Sequence, residues 1–293
     1  MKLVHMYKIA LLNIECFPSS AAIERIIAEH KDQIKLVVAS DRYKGRNGGI
    51  IRQAKDNFVR SGFPFTHYLA LHFLYHPLAL SIVAFLNRFL GFRLQRKSLN
   101  RSCELAGVPF VKTADINSPE MLSLLREHEI DLIAVFYFDQ ILKKNIISIP
   151  KHGVINFHPA ILPNCRGLFP VVFSAVKNNG AFGMTVHDIE DESIDAGPIL
   201  AQATIETPVT KSILRLEQAV NLAGVKLFRD VIHDLPELRS KSQHQNGGAY
   251  YSYPSRADLR KLKELEFRLT STKDFVLHYC EKESESENRE EIG

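Results

Sequence analysis

Asn156, His158 and Asp195 are the residues of this chain whose types and spacing could do chemistry. Val154-Ile155-Asn156-Phe157-His158 alternates apolar and polar, so as a strand it turns Asn156 and His158 to one face. Pro159, Pro163, Arg166 and Gly167 make the following stretch an irregular loop, because proline removes donors and glycine frees the backbone. A second strand-like run at 183–187 leads to the turn Asp195-Ala196-Gly197-Pro198, which can bring a third polar group to the same edge. An asparagine amide and a histidine together polarise a carbonyl and hold a developing oxyanion. An aspartate within reach of the histidine favours the imidazolium and relays a proton. That set suits acyl transfer without a covalent enzyme intermediate, since neither serine nor cysteine sits in a nucleophile-like turn. Taken singly, each has a plainer account as a satisfied strand-end histidine or a turn-making aspartate. The joint pattern carries the weight.

These residues need a scaffold, and the chain supplies one. At 293 residues with 45% hydrophobic content it can bury a full core. Residues 7–14 read as a buried strand, 19–30 as an amphipathic helix and 34–39 as a second strand, which is the start of a parallel sheet. The alternation resumes with a strand at 109–112, a helix at 118–128 and a strand at 131–137, then helices at 169–178 and 211–234. The expected fold class is α/β, Rossmann-like with a mostly parallel sheet, plus a small C-terminal extension. The turn at 15–20 has no glycine, so the dinucleotide fingerprint is missing and a nicotinamide cofactor is disfavoured. A net charge of +4 does not by itself call for nucleic acid. Cys16, Cys103, Cys165 and Cys280 are widely spaced with no CxxC pair, which argues against a metal site or a disulfide framework and fits a reducing cytoplasm. The first residues read as a strand, not a signal peptide.

Two segments stand apart. The loop at 41–49 is basic and glycine-rich, with Arg42, Lys44 and Arg46 placed to meet an anionic ligand or simply to be solvated. Residues 63–101 form an apolar and basic helical insertion: 63–87 hold no Asp, Glu, Lys or Arg, and Arg93, Arg96, Lys97 and Arg101 follow. Its use stays open between packing on the sheet or a homodimer contact, peripheral contact with an anionic membrane or a lipid substrate, and a true membrane span. The expected organisation is a catalytic domain at 1–239, a polar linker at 240–248, a small subdomain at 249–280 and a disordered charged tail at 281–293.

Asn156-Phe157-His158-Pro159-Ala160-Ile161-Leu162-Pro163-Asn164-Cys165-Arg166-Gly167, with Gly183-Met184-Thr185-Val186-His187 and Ile194-Asp195-Ala196-Gly197-Pro198, resembles the folate-dependent formyltransferases. The resemblance implies 10-formyltetrahydrofolate as formyl donor, a primary amine as acceptor, no metal, and Asn156, His158 and Asp195 as the catalytic set. It implies a folate pocket at Phe138, Asp139, Gln140, Ile141, Leu142, Ile194, Ala196 and Gly197, and acceptor contacts at Arg42, Lys44, Arg46 and Arg166. The family pattern usually has serine at the position of Ala160 and glycine at that of Asp139. Family acceptors include amino-sugars, a ribonucleotide and methionyl-tRNA. The chain's own surroundings favour an amino-sugar, small or lipid-linked amine over tRNA. Hydrolysis of the donor and non-catalytic binding are the alternatives.

Overall fold

The computed structural model describes residues 6–41, 49–205 and 210–280. The apolar run Ile9–Asn13 (β1), helix Ser20–His30 (α1) and Ile34–Ser40 (β2) open a parallel sheet. α2 (Gly49–Ser61), α3 (Phe63–Ala70), a π-helical turn Leu71–Tyr75 and α4 (His76–Phe89) follow. Then come α5 (Leu99–Ala106), β3 (Phe110–Thr113), α6 (Pro119–Glu127), β4 (Leu132–Phe136) and α7 (Lys144–Ile147). Ser98 and Ser118 cap α5 and α6 with their hydroxyls, satisfying a helix N–H that would otherwise lack a partner.

The site-bearing half contains β5 (Val154–His158), the short β6 (Arg166–Gly167), α8 (Pro170–Lys177), β7 (Gly183–Asp188), β8 (Ile199–Thr204) and α9 (Ile213–Lys241). β9 (Tyr250–Tyr251), α10 (Arg256–Glu264) and α11 (Thr272–Cys280) complete it. Among the described residues the main sheet has seven strands in the order β3-β2-β1-β4-β5-β7-β8. It is parallel through β5, and β7 and β8 each run antiparallel to their neighbour. β6 and β9 form a separate parallel pair.

The sheet is buried on both faces, as its continuous apolar strands require. One face is covered by α1, α5, α8 and α9, where Phe157 stacks between Phe136 and Phe228 with centroids 5.3 Å from each. The other face carries α6 and α7. Several elements escaped the sequence reading: α2, whose basic, glycine-led start masked its helical pattern; the one-turn α7; the two-residue β6; β8, where Ala201 and Ala203 weaken the strand signal; and the C-terminal helices α10 and α11. α9 was expected to end near 234 but runs on to Lys241 past a break at Asp234, two residues before Pro236. The stretch expected as a linker lies against the body: Gln243 bridges Ile199, and Gln245 reaches the turn that holds Asp195.

Candidate active site

β5 ends at the carboxyl edge of the sheet, where ligands of open α/β folds bind. The antiparallel register of β5 and β7 sets Asn156 opposite His187 and His158 opposite Thr185. Three polar side chains therefore converge from two strands, and the turn after β7 contributes Asp195.

Asp195 has a left-handed φ of 49°, a conformation aspartate tolerates better than most residues. The turn closes tightly: a Cβ on Gly197 would lie 1.8 Å from the Asp188 carbonyl oxygen, so only glycine fits there. Gln245 donates from Nε2 to the carbonyls of both Asp195 and Gly197, at 2.9 and 2.8 Å. Arg239 grips the Asp188 carboxylate through Nε, 3.1 Å from each oxygen, and donates from Nη1 to the His152 carbonyl at 2.8 Å. This fixes the end of β7 beside His187.

The hydrogen bonds define protonation. His158 Nε2 lies 2.9 Å from the Cys165 carbonyl oxygen, which can only accept, so Nε2 carries the hydrogen. Its Nδ1 faces Asp195 Oδ2 at 3.4 Å. His187 Nδ1 donates to the Asp188 carbonyl at 2.8 Å, leaving Nε2 as an acceptor for Asn156 Nδ2 at 3.0 Å. The other Asn156 hydrogen goes to Asp195 Oδ1 at 3.1 Å. Gly167 N–H donates to Asp195 Oδ2 at 2.8 Å. Burial pushes the Asp195 carboxyl up, but the neighbouring His158 and His187 and the Gly167 N–H outweigh it and hold it at about 2. Burial lowers His158 from its ordinary value, opposed by the Asp195 charge and the bond to Cys165. The resting pair is a neutral imidazole beside a carboxylate.

This cluster sits at the wall of a cavity of about 440 Å³, a size suited to a drug-sized ligand. Of the residues expected around the donor, Phe138, Asp139, Gln140, Ile141, Leu142 and Ile194 line it. The Gln140 side chain nevertheless points its bonds at Ile116 N–H, Ser40 Oγ and the Thr113 carbonyl, and so ties strand ends together. Ala196 and Gly197 stand outside the wall and shape the turn instead. Arg166 is not in the wall; its Nη2 donates to the Gly248 carbonyl at 3.4 Å. Arg42, Lys44 and Arg46 lie outside the described residues. Ala160, fully buried, serves the loop through its carbonyl, which accepts from Thr185 Oγ1 at 2.6 Å.

Sequence reasoning missed His187, Gln245 and Arg239. A signal for His187 was present in the alternation of Thr185 and His187 within an otherwise apolar strand. Nothing local marks Gln245 or Arg239, which reach the site from 50 or more residues away.

Residues 88–232 match the family model described as formyl transferase. Methionyl-tRNA formyltransferase of Thermus thermophilus is 29% identical over 166 residues, covering 56% of this chain and 53% of the relative. The Anaplasma marginale protein of the same name is 26% identical over 165 residues, covering 56% and 54%. The chain thus spans about half the length of the curated relatives it matches. Among solved structures, a sugar N-formyltransferase from a Shewanella species aligns with TM-score 0.50 at 18% identity, over 89% of this chain and 88% of that one. A phosphoribosylglycinamide formyltransferase from Streptococcus pneumoniae aligns with TM-score 0.51 at 18% identity, over 78% and 99%. These structures share the fold.

Proposed function

We propose that this chain, which over residues 88–232 belongs to the formyltransferase family, moves a formyl group from 10-formyltetrahydrofolate to a primary amine. The observation that carries the reading is the convergence of Asn156, His158 and Asp195 on one cavity wall, with Asn156 donating to Asp195 Oδ1 and His158 Nδ1 3.4 Å from Asp195 Oδ2. The donor fits the cavity by size and by its walls, where Val135, Leu142, Ile189 and Ile194 offer apolar contact around a few polar groups. It supplies the formyl carbon that the amine attacks.

The chain's own groups handle charge and protons. Asn156 holds the formyl oxygen as negative charge develops there, which requires one of its two resting bonds to open. The bond to neutral His187 is weaker than the one to the Asp195 carboxylate, so the His187 bond is the one that opens. A proton leaving the amine settles on His158 Nδ1, between the imidazole and Asp195, while Nε2–H stays on the Cys165 carbonyl. Asp195 then faces an imidazolium, which its negative charge stabilises, and that proton passes on to N10 of the donor as the bond from N10 to the formyl carbon breaks and tetrahydrofolate leaves.

The acceptor side favours an amino-sugar or an apolar-tethered amine. Among the described residues the cavity wall contains no Lys or Arg to hold phosphate, and Asp139, Asp191, Glu192 and Asp195 make it acidic. Phe73, Phe169, Tyr250 and Tyr253 supply faces on which a sugar ring or an apolar chain can lie. A tRNA acceptor end would find no cation among the described residues of that wall.

The test is tetrahydrofolate release from 10-formyltetrahydrofolate across a panel of amino-sugars, lipid amines and methionyl-tRNA. Stimulation by one amine class, with formylated product, supports transfer. Equal release without any amine would instead make the chain a hydrolase, and no release under any condition would remove the catalytic reading.

A further inference from the structure

The insertion does more than fill space. α3, the π turn and α4 form one helical run, Phe63–Phe89, long and apolar enough by length and composition to cross a membrane. It does not stand free of the body. Phe65, Tyr68, His72, His76, Leu80 and Val83 face inward and are buried. Tyr68 donates to Glu217 of α9, whose other carboxylate oxygen lies 3.1 Å from His72 Nε2, and His76 Nδ1 lies 2.6 Å from the Tyr279 hydroxyl. These contacts pin the run along the surface.

Its outward face is apolar and uncovered. Leu74, Leu78, Ile82, Phe85 and Phe89 follow one another at helical spacing, and each is between 47% and 65% exposed. The turn after α4 continues the stripe with exposed Leu90 and Phe92. Asn87 holds that turn in place, accepting from Leu94 N–H through Oδ1 and donating from Nδ2 to the Leu94 carbonyl, both at 2.9 Å. The stripe is bordered by exposed Arg88 and Arg93, with exposed Lys97 and Arg101 just beyond. The chain contains no acidic residue between Asp56 and Glu104, while six Lys and Arg fall in that interval.

We infer that this face docks in the plane of an anionic lipid bilayer. Bulky apolar side chains enter the boundary between headgroups and acyl chains, and the arginines beside them meet lipid phosphate. An RNA partner would use the cations but not a row of Leu, Ile and Phe. A second protein copy would not need a border of one sign. Docking would bring an apolar-tethered amine to the cavity, because Phe73 of the same helical run forms part of the cavity wall. The docking itself does not depend on formyl transfer.

The test is flotation of the full chain with vesicles of phosphatidylcholine alone and of phosphatidylcholine mixed with phosphatidylglycerol, at low and high salt. Wild type is expected to float with the anionic vesicles and to be released by salt, by roughly fivefold for each cation engaged. Replacing two exposed apolar residues, Phe85→Glu with Phe89→Glu, should cut binding about tenfold or more. Arg88→Gln with Arg93→Gln should remove the preference for anionic lipid. Unchanged melting temperatures keep both variants interpretable, since all four side chains are exposed. No flotation at low salt, or equal flotation of the Phe85→Glu, Phe89→Glu variant, overturns the proposal. So does a solution dimer that this variant splits in the absence of vesicle binding.

Discussion

Gly167 donates its backbone N–H to the Asp195 carboxylate at 2.8 Å while its own strand pairs with Tyr250 and Tyr251. The charge state of the candidate catalytic aspartate is thereby joined to a segment more than 50 residues downstream of it.

The first prediction concerns that joint. A Cβ at Gly167 would meet the Tyr251 carbonyl oxygen at 2.2 Å and the Tyr250 ring at 2.6 Å, and the residue has a φ of 95°. Gly167→Ala should therefore push β6 off β9 and pull the N–H away from Asp195. Transfer is expected to fall by about one to two orders of magnitude, with the global fold retained. Circular dichroism and steady-state rates check this, and a fully active variant would show that the bond is incidental.

Asn156→Ala should lower the rate on the order of 100-fold or more, as removal of an oxyanion donor does. Asp195→Asn should do likewise and carries a second readout. The Asp195 charge opposes the lowering of His158, so its removal should drop the His158 pKa further. Imidazole resonances followed by NMR across pH measure this directly; an upward shift contradicts the assigned contact.

His187 accepts from Asn156 Nδ2 at 3.0 Å and its Nε2 lies 3.5 Å from Asp195 Oδ1, so it acts through those two side chains as a positioning residue. His187→Phe should reduce kcat by about tenfold while KM for the amine stays nearly constant, since the orientation of Asn156 matters most in the transition state. A KM change alone would assign His187 to acceptor binding.

Acid should weaken the fold earlier than carboxylate protonation would require. Burial holds His76 at about 3, helped by His72 and Arg96. Burial also places His278 well below its ordinary value and lowers His158. A histidine whose folded pKa is depressed adds stability that is complete above its unfolded pKa of about 6.5 and is lost as pH falls toward the folded value. Each such group sheds about 1.4 kcal/mol per pH unit within that window. Asp195, held at about 2, adds its loss only at lower pH, beneath the usual aspartate value of about 3.9. Calorimetric melting temperatures should decline steadily from about pH 6.5 downward. A flat profile would show that the buried histidines take up protons as readily in the folded chain as in the unfolded one.

The α/β class was legible because buried strands and amphipathic helices alternate at crossover spacing from Ile9 onward. Asn156 and His158 were legible as a pair because a period of two places them on one face. The pairing of Asn156 with His187 was not, since it depends on β7 turning antiparallel, and that reversal has no local signature. Gln245 sits in a polar stretch that composition alone marks as a linker. The apolar run at 63–89 declared its composition but not its orientation. Only the inward contacts of His72 with Glu217 and of His76 with Tyr279 show which side is left for solvent or lipid.

Gln245 clasps the carbonyls of Asp195 and Gly197 from beyond the end of α9. The cavity-wall aromatics Tyr250 and Tyr253 therefore share a short tether with the residue that clasps the Asp195 turn. A tail from one of the relatives grafted after Lys241 would replace this clasp along with Tyr250 and Tyr253, so the cavity wall could not be exchanged as a cassette without disturbing the turn that holds Asp195.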